Sequence, residues 1–211
     1  MAEKALSGIY GILPADLETD DLLARAEAAL KGGLRIVQFR DKQQGYQRAL
    51  ERAKALRVLT ARYGACFIVN DSVQMALAAQ ADGVHLGRDD ISNLTQLRVE
   101  TGTELIVGVT CRMDAVLAKH VLNEGADYMS FGAVWATQSK SEVPAIGLPR
   151  LSKARQLFPD ANICAIGGIN ADNIAQVKAA GADCAAVISG LFAATDIEAE
   201  AVRLAAIWDA A

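Results

Sequence analysis

Eight apolar, strand-like runs, each followed by an Ala- and Leu-rich helical stretch, predict a single-domain α/β chain folded as a (β/α)8 TIM barrel. Composition agrees: 52% of residues are hydrophobic but only 5% aromatic, so the core is mostly Ala, Leu, Val and Ile. That suits parallel strands covered on both faces, which read as continuous apolar runs. At 211 residues without linker or low-complexity segment, the chain fits one domain over 1–211, near the lower size limit of such a barrel. A doubly wound open sheet is the alternative architecture.

The elements follow in order. Residues 8–13 form the first apolar run; Asp20 or Asp21 can cap a helix reaching about Leu30, with Gly32-Gly33 as its stop. Residues 34–39 are the second strand and 46–63 the second helix. Residues 66–69 make a third strand, followed by Asn70-Asp71-Ser72 and a short helix to about Ala79. The fourth strand is 83–86, with Asp89-Asp90 opening the next helix. Residues 105–109 make the fifth, then a helix to about Leu122; 127–131 make the sixth. A long loop, 132–147, precedes a helix around 151–158, and its length makes the 136–147 part a candidate lid. Residues 163–166 are the seventh strand, leading through Gly167-Gly168 to another helix; 184–188 are the eighth, before a terminal helix to about Trp208. A recurring Gly-Ala-Asp precedes strands at Gly125-Ala126-Asp127 and Gly181-Ala182-Asp183, with Ala81-Asp82-Gly83 a looser relative; its job reads as turning helix into strand.

Composition also narrows the function classes. With 21 basic against 25 acidic residues the net charge is −4, which argues against a nucleic-acid partner. Cys66, Cys111, Cys164 and Cys184 lack Cys-x-x-Cys spacing, and Cys66, Cys164 and Cys184 sit in apolar runs as small hydrophobes, so neither a disulfide framework nor a thiolate metal site is predicted. Met1-Ala2-Glu3-Lys4 opens without an apolar signal region and no window approaches a membrane span. These features predict a cytoplasmic protein with no membrane partner; a homo-oligomer stays open.

In barrels of this kind the chemistry sits at the C-terminal ends of the strands. Strand two ends in Gln38, Arg40 and Lys42, which share one side of an extended segment by period-two alternation. An amide, a guanidinium and an ammonium converging there suit an anionic ligand, although the run also reads as a strand leaving into a solvated loop. Strand three ends in Asn70-Asp71, strand four leads to Asp90, strand five ends in Thr110 and strand six leads to Thr137, Ser139 and Lys140. Strand seven leads to Gly167-Gly168 and strand eight to Ser189-Gly190. Asp71 and Asp90 can hold a hard cation such as Mg²⁺, or can simply cap the helices that follow. Arg40, Lys42 and Lys140 can neutralise phosphate oxygens, Thr137 and Ser139 can donate hydroxyls, and Gly167-Gly168 before a helix exposes backbone N–H groups to a phosphate. The set points to one metal-assisted diphosphate site and one monophosphate site.

His85 lies in a strand and reads as lining the barrel or bonding within the core; His120 reads as solvent-facing. Neither belongs to a triad-like arrangement, so nucleophilic catalysis is not expected. Among Tyr128, Phe131 and Trp135, the loop residue Trp135 is the one expected to touch ligand.

The run Gln38-Phe39-Arg40-Asp41-Lys42, with Asn70-Asp71, His85-Leu86-Gly87-Arg88-Asp89-Asp90, Gly108-Val109-Thr110, Thr137-Gln138-Ser139-Lys140 and Ala165-Ile166-Gly167-Gly168-Ile169, resembles the thiamine phosphate synthases over nearly the whole chain. The resemblance implies a Mg²⁺-dependent (β/α)8 transferase that joins hydroxymethylpyrimidine diphosphate to thiazole phosphate and releases diphosphate, with small molecules as partners. It implies Asp71 and Asp90 as metal ligands. Gln38, Arg40, Lys42, Asn70 and Lys140 would hold the pyrimidine diphosphate, with Thr110 near the pyrimidine. Thr137, Ser139 and Gly168 would bind the thiazole phosphate, completed by the Val187-Ile188-Ser189 backbone. Arg40, Lys42 and Lys140 would act catalytically by stabilising the leaving diphosphate while the ring carries a methylene cation.

The chain departs from the family's pattern in places. Arg88 stands where Gln is usual, Ala136 where Pro, Ser139 where Thr, Thr110 where Ser, and Trp135 where a smaller aromatic. Two other classes fit the same barrel. A thiazole tautomerase-like isomerase would lack the Asp pair and carry a His near Thr110; a non-catalytic phosphate-ligand binder would have lost Arg40, Lys42 or a metal ligand.

Overall fold

The computed structural model describes residues 6–41, 45–88, 91, 93–136 and 145–211. Eight parallel strands close into a barrel: β1 (Gly8–Ile12), β2 (Ile36–Phe39), β3 (Cys66–Asn70), β4 (Gly83–Leu86), β5 (Ile106–Arg112), β6 (Tyr128–Gly132), β7 (Asn162–Ile166) and β8 (Cys184–Val187). Each pairs with its successor, and β8 returns to β1 with Gly8 opposite Cys184. The helices between and after them are α1 (Thr19–Lys31), α2 (Tyr46–Arg62), α3 (Val73–Ala78), α4 (Leu94–Thr101), α5 (Ala115–Asn123), α6 (Gly147–Leu157), α7 (Ile174–Ala179), α8 (Ser189–Phe192) and α9 (Ile197–Ala210). The closed ring excludes the open-sheet alternative.

Strand residues alternate between two apolar layers, as the two-residue period requires. Ile36, Ile68, Ile106 and Cys164 point inward; Val37, Val69, Val107 and Ile163 pack outward under the helices. The four cysteines are free thiols, Cys66 half-buried and the others buried. Burial pushes the Cys66 and Cys111 thiols up to about 12 and raises that of Cys184 well above its usual value. They serve as small apolar side chains.

Several boundaries differ from the sequence expectation for identifiable reasons. Glu18 occupies the α1 cap position, and Asp20 and Asp21 lie inside the first turn, where their charge meets the positive end of the helix. At α4 the cap is Asn93, whose side chain accepts from Gln96 N, so that helix opens after Asp89 and Asp90, which lie outside the described residues. The α6 helix starts at Gly147 because Pro149 falls in its first turn, where a missing N–H breaks no intrahelical bond. β5 runs on to Arg112 through a register shift between Thr110 and Arg112 against β6.

At the N-terminal end of the barrel the Gly-Ala-Asp turns do more than redirect the chain. The Asp82, Asp127 and Asp183 carboxylates accept from the backbone N–H of the second residue of the preceding strand, at Phe67 (2.8 Å), Val107 (2.7 Å) and Ile163 (2.7 Å). Each also pairs with an arginine two helices back in the sequence of units: Arg57 on α2, Arg98 on α4 and Arg155 on α6. One carboxylate thus ties a helix and two strands together, and the tie recurs at every second unit.

Candidate functional site

The opposite end of the barrel opens into a cavity of about 150 Å³. β2 delivers Gln38 and Arg40, β3 Asn70, β4 His85 and β5 Thr110 and Arg112 to its lining. Across the mouth lie Gly167, Gly168 and Ile169 after β7 and Ile188 and Ser189 after β8. Among the described lining residues the permanently charged ones are Arg40 and Arg112, and neither has an ion-pair partner among the described residues. Two unneutralised guanidiniums in one mouth favour an anion.

The β2 end is held from beneath. The Arg52 side chain, nearly sealed from solvent, pairs with Asp41 at 2.5 Å, donates to the Leu17 carbonyl at 2.6 Å and lies 5.8 Å from the centre of the Phe39 ring. A buried carboxylate left without this partner would be strongly destabilised, so the pair fixes the backbone on which Arg40 stands. The composition of the run gave no sign of this support, because Arg52 lies a helical turn into α2.

Asp71 follows β3 with φ +63°, and its backbone N–H donates to the His85 carbonyl at 2.8 Å. Ser72 rather than Asp71 caps α3, accepting from Met75 N. The capping explanation for Asp71 therefore falls away, and its carboxylate stands at the strand end next to the one that leads to Asp90. Arg88 pairs with Asp114 at 3.4 Å, so its extra charge is compensated at the rim.

Inside the mouth the polar side chains form one line. Gln38 Nε2 donates to the Tyr10 hydroxyl (2.8 Å), which lies 2.9 Å from the Tyr128 hydroxyl, itself 2.8 Å from His85 Nδ1. His85 Nε2 meets Thr110 Oγ1 at 2.8 Å, and Ser130 Oγ reaches the same oxygen at 3.4 Å. Burial raises both phenols well above their usual range, so they remain protonated.

After β7 the chain bends through Gly167 (φ +107°) and Gly168 (φ +66°). A Cβ on Gly167 would fall 2.5 Å from Ala133 Cα, and one on Gly168 2.8 Å from Trp135 Cβ. Only glycine fits this bend, and the bare backbone faces the cavity. The helix that follows, α7, starts at Ile174, so Gly168 lies in a loop pinned by Asn173 Nδ2 donating to its carbonyl at 2.9 Å, and not at a helix N-terminus. Ile188 and Ser189 line the cavity, whereas the Val187 side chain turns outward into the helix-covered layer.

Gln38, Arg40, Asn70, Thr110, Gly168, Ile188 and Ser189 are thus brought to one mouth, with Asp71 beside it. Lys42, Asp90, Thr137, Ser139 and Lys140, and most of the candidate lid, lie outside the described residues. Trp135 does not line the cavity; it is partly buried against the outer core, which leaves the ligand-contact expectation unsupported. Two lining residues, Arg112 and Ser130, were missed. The period-two spacing that groups Gln38 with Arg40 also groups Thr110 with Arg112 and Tyr128 with Ser130, and that signal could have found them.

The family model described as thiamine monophosphate synthase matches residues 9–191. A thiamine-phosphate synthase of Thioalkalivibrio sulfidiphilus is 48% identical, covering 98% of this chain and 97% of the relative. One of Acidithiobacillus ferrooxidans is 42% identical over 98% of this chain and 96% of its own length. Among solved structures, the thiamine phosphate pyrophosphorylase of Pyrococcus furiosus superposes with a TM-score of 0.83 at 33% identity, covering 96% of both chains.

Proposed function

The chain belongs to the thiamine monophosphate synthase family, and from that membership we propose that it is a transferase coupling 4-amino-2-methyl-5-hydroxymethylpyrimidine diphosphate to thiazole phosphate. The products would be thiamine phosphate and diphosphate. The observation that carries this reading is the mouth itself: Arg40 and Arg112, without carboxylate partners among the described residues, on one side, and the bare Gly167-Gly168 backbone with Ser189 on the other. Two anion-binding faces around one cavity match two phosphorylated halves.

The work of the residues follows from charge and position. Arg40, with Lys42 and Lys140, would stabilise the negative charge that gathers on the departing diphosphate. Gln38, Asn70 and Thr110 would orient the pyrimidine while its methylene carbon becomes electron-poor. Gly168, with the backbone of Val187, Ile188 and Ser189 and the hydroxyls of Thr137 and Ser139, would hold the thiazole so that its nitrogen meets that carbon, an entropic contribution to rate. No covalent nucleophile is required.

Among the described residues no group of three His, Cys, Asp or Glu side chains could hold a metal. A site of two carboxylates completed by water and phosphate oxygens suits Mg²⁺, and Asp71 with Asp90 would supply it. When bound, the ion adds positive charge beside the diphosphate. We further take the protein to act as one domain over 1–211, in the cytoplasm and on small molecules; the net charge of −4 supports the lack of a nucleic-acid partner.

One observation speaks for an isomerase instead: His85 lies 2.8 Å from Thr110. Both its ring nitrogens are engaged, and Arg40 remains. The deciding experiment incubates both phosphorylated halves with and without Mg²⁺, using wild type and Asp71→Ala. Metal-dependent formation of thiamine phosphate, nearly lost in the variant, is the expected result. Binding of both halves without coupling at saturating Mg²⁺ would overturn the transferase reading, and conversion of the thiazole alone would establish isomerisation.

A further inference from the structure

Five side chains from five strands, Gln38 on β2, Tyr10 on β1, Tyr128 on β6, His85 on β4 and Thr110 on β5, form an unbroken hydrogen-bonded line beneath the mouth. Each phenol owns one proton and a neutral imidazole owns one, so the direction of donation at one end sets it at the other. The Gln38 amide turns its nitrogen to Tyr10. Tyr10 must then donate to Tyr128, and Tyr128 to His85 Nδ1. His85 is left with its proton on Nε2, which donates to Thr110 Oγ1. The free ends of the line are the Gln38 carbonyl oxygen, an acceptor, and the Thr110 hydroxyl proton, a donor, and both residues line the cavity.

The line is built into the barrel. Tyr10 and Tyr128 are fully buried and neither lines the cavity. The His85 and Tyr128 rings stack at 5.4 Å, and the two tyrosines meet edge to face at 6.1 Å. A Cβ on Gly108 would fall 1.9 Å from Tyr128 Cζ, so the glycine in β5 makes the space in which that hydroxyl sits.

We propose that Tyr10, Tyr128 and His85 are positioning residues that fix the hydrogen-bond polarity of the pocket, making it accept at Gln38 and donate at Thr110. A 4-aminopyrimidine can meet both ends: its amino group donates to the Gln38 oxygen and a ring nitrogen accepts from Thr110. Its 4-oxo counterpart puts an acceptor against the Gln38 oxygen and is rejected. The substrate side of this inference rests on the transferase reading; the polarity itself does not.

The test pairs a spectroscopic readout with kinetics. Nitrogen-15 NMR of the imidazoles reports the His85 tautomer in the wild type, Tyr128→Phe and Tyr10→Phe. The wild type is expected to show a bare Nδ1 and a protonated Nε2, and Tyr128→Phe a tautomer mixture. Coupling assays then compare the 4-amino and 4-oxo pyrimidine diphosphates. Discrimination should fall by about tenfold or more in both variants while the KM for thiazole phosphate holds, because a pocket that pairs a polar group loses selectivity when that partner is no longer oriented. Tyr10→Phe matters most, since Tyr10 touches neither His85 nor the cavity; a merely structural role would lower the melting temperature without moving discrimination. If Tyr128→Phe does not fold, Tyr10→Phe decides alone. A wild-type His85 protonated on Nδ1 or on both nitrogens overturns the proposal, as does discrimination within about twofold of wild type in the folded variants. If the wild type couples nothing, the transferase reading fails, and the tautomer together with calorimetric binding of the two pyrimidine diphosphates still decides the polarity.

Discussion

The two ends of this barrel spend their charged residues in opposite ways. At the N-terminal end Asp82, Asp127 and Asp183 each meet an arginine and a backbone N–H, so both signs are neutralised and no polar group of the triad is idle. At the mouth Arg40 and Arg112 stand without a carboxylate partner among the described residues, and Asp71 and Arg112 carry positive φ angles that L residues rarely adopt. Unpaired charge costs stability, and it collects where a ligand can compensate it; left-handed backbone is found at both ends, since Gln80 ahead of β4 also has φ +53°. The comparison teaches that charge count is uninformative here, while charge pairing separates the end that holds the fold from the end that binds.

The sharpest way to break this contrast is Arg40→Ala. It should lower kcat/KM for coupling by roughly 100-fold or more and leave the melting temperature unchanged or slightly higher, since it removes a charge that is proposed to stabilise developing negative charge and has no ion-pair partner among the described residues. A variant that loses stability instead would place Arg40 among the structural charges. Asp127→Ala should do the reverse. Leaving the Val107 N–H without its acceptor, and Arg98 with only backbone carbonyls and no carboxylate, is expected to lower the unfolding free energy in urea by about 2 kcal/mol, with coupling activity of the folded fraction within about twofold of wild type.

Arg112→Ala tests whether the mouth extends to β5. About a tenfold rise in KM for a phosphorylated substrate, partly restored by Arg112→Lys, is expected of an exposed phosphate contact. Unchanged kinetics for both substrates would confine the anion site to β2 and the late loops. The smallest effect is electrostatic. Cys66 keeps its thiol to about pH 12 when folded but ionises near pH 9 when unfolded, so the unfolded chain binds fewer protons between those values. Stability is full below about pH 9 and falls as pH rises through that window. Cys66→Ala should therefore lose about 1 kcal/mol less than wild type between pH 8 and pH 10 in urea titrations; an equal loss would mean that the folded thiol ionises normally.

Much of this was legible in the residue order. Strands of this architecture announce themselves as apolar runs, and all eight lie within two residues of where the alternation puts them, except β5, whose extra turn of strand comes from a register shift that no periodicity records. The mouth residues were found because strand ends are fixed by the same runs. What escaped depends on contacts between distant segments. Arg52 reaches Asp41 and Leu17 only after α2 packs, and the line from Gln38 to Thr110 needs five strands in a ring. His85 illustrates the limit: its strand position allowed either a core or a lining role, and the closed barrel gives it both.

The three carboxylate ties also have a missing fourth. They join α2 to β3 and β4, α4 to β5 and β6, and α6 to β7 and β8, but Gly33-Leu34-Arg35 ahead of β2 offers no aspartate. In that quarter β1 meets β8, the strands farthest apart in sequence, and α1 lies against α9 so closely that a Cβ on Gly32 would sit 2.4 Å from the Glu198 carbonyl. During synthesis β8 and α9 leave the ribosome long after β1, so three sectors can be fastened while the ring still gapes. The last sector must then shut through the β1–β8 backbone ladder and the Arg25 donation to the Phe192 carbonyl, without a carboxylate tie of this kind.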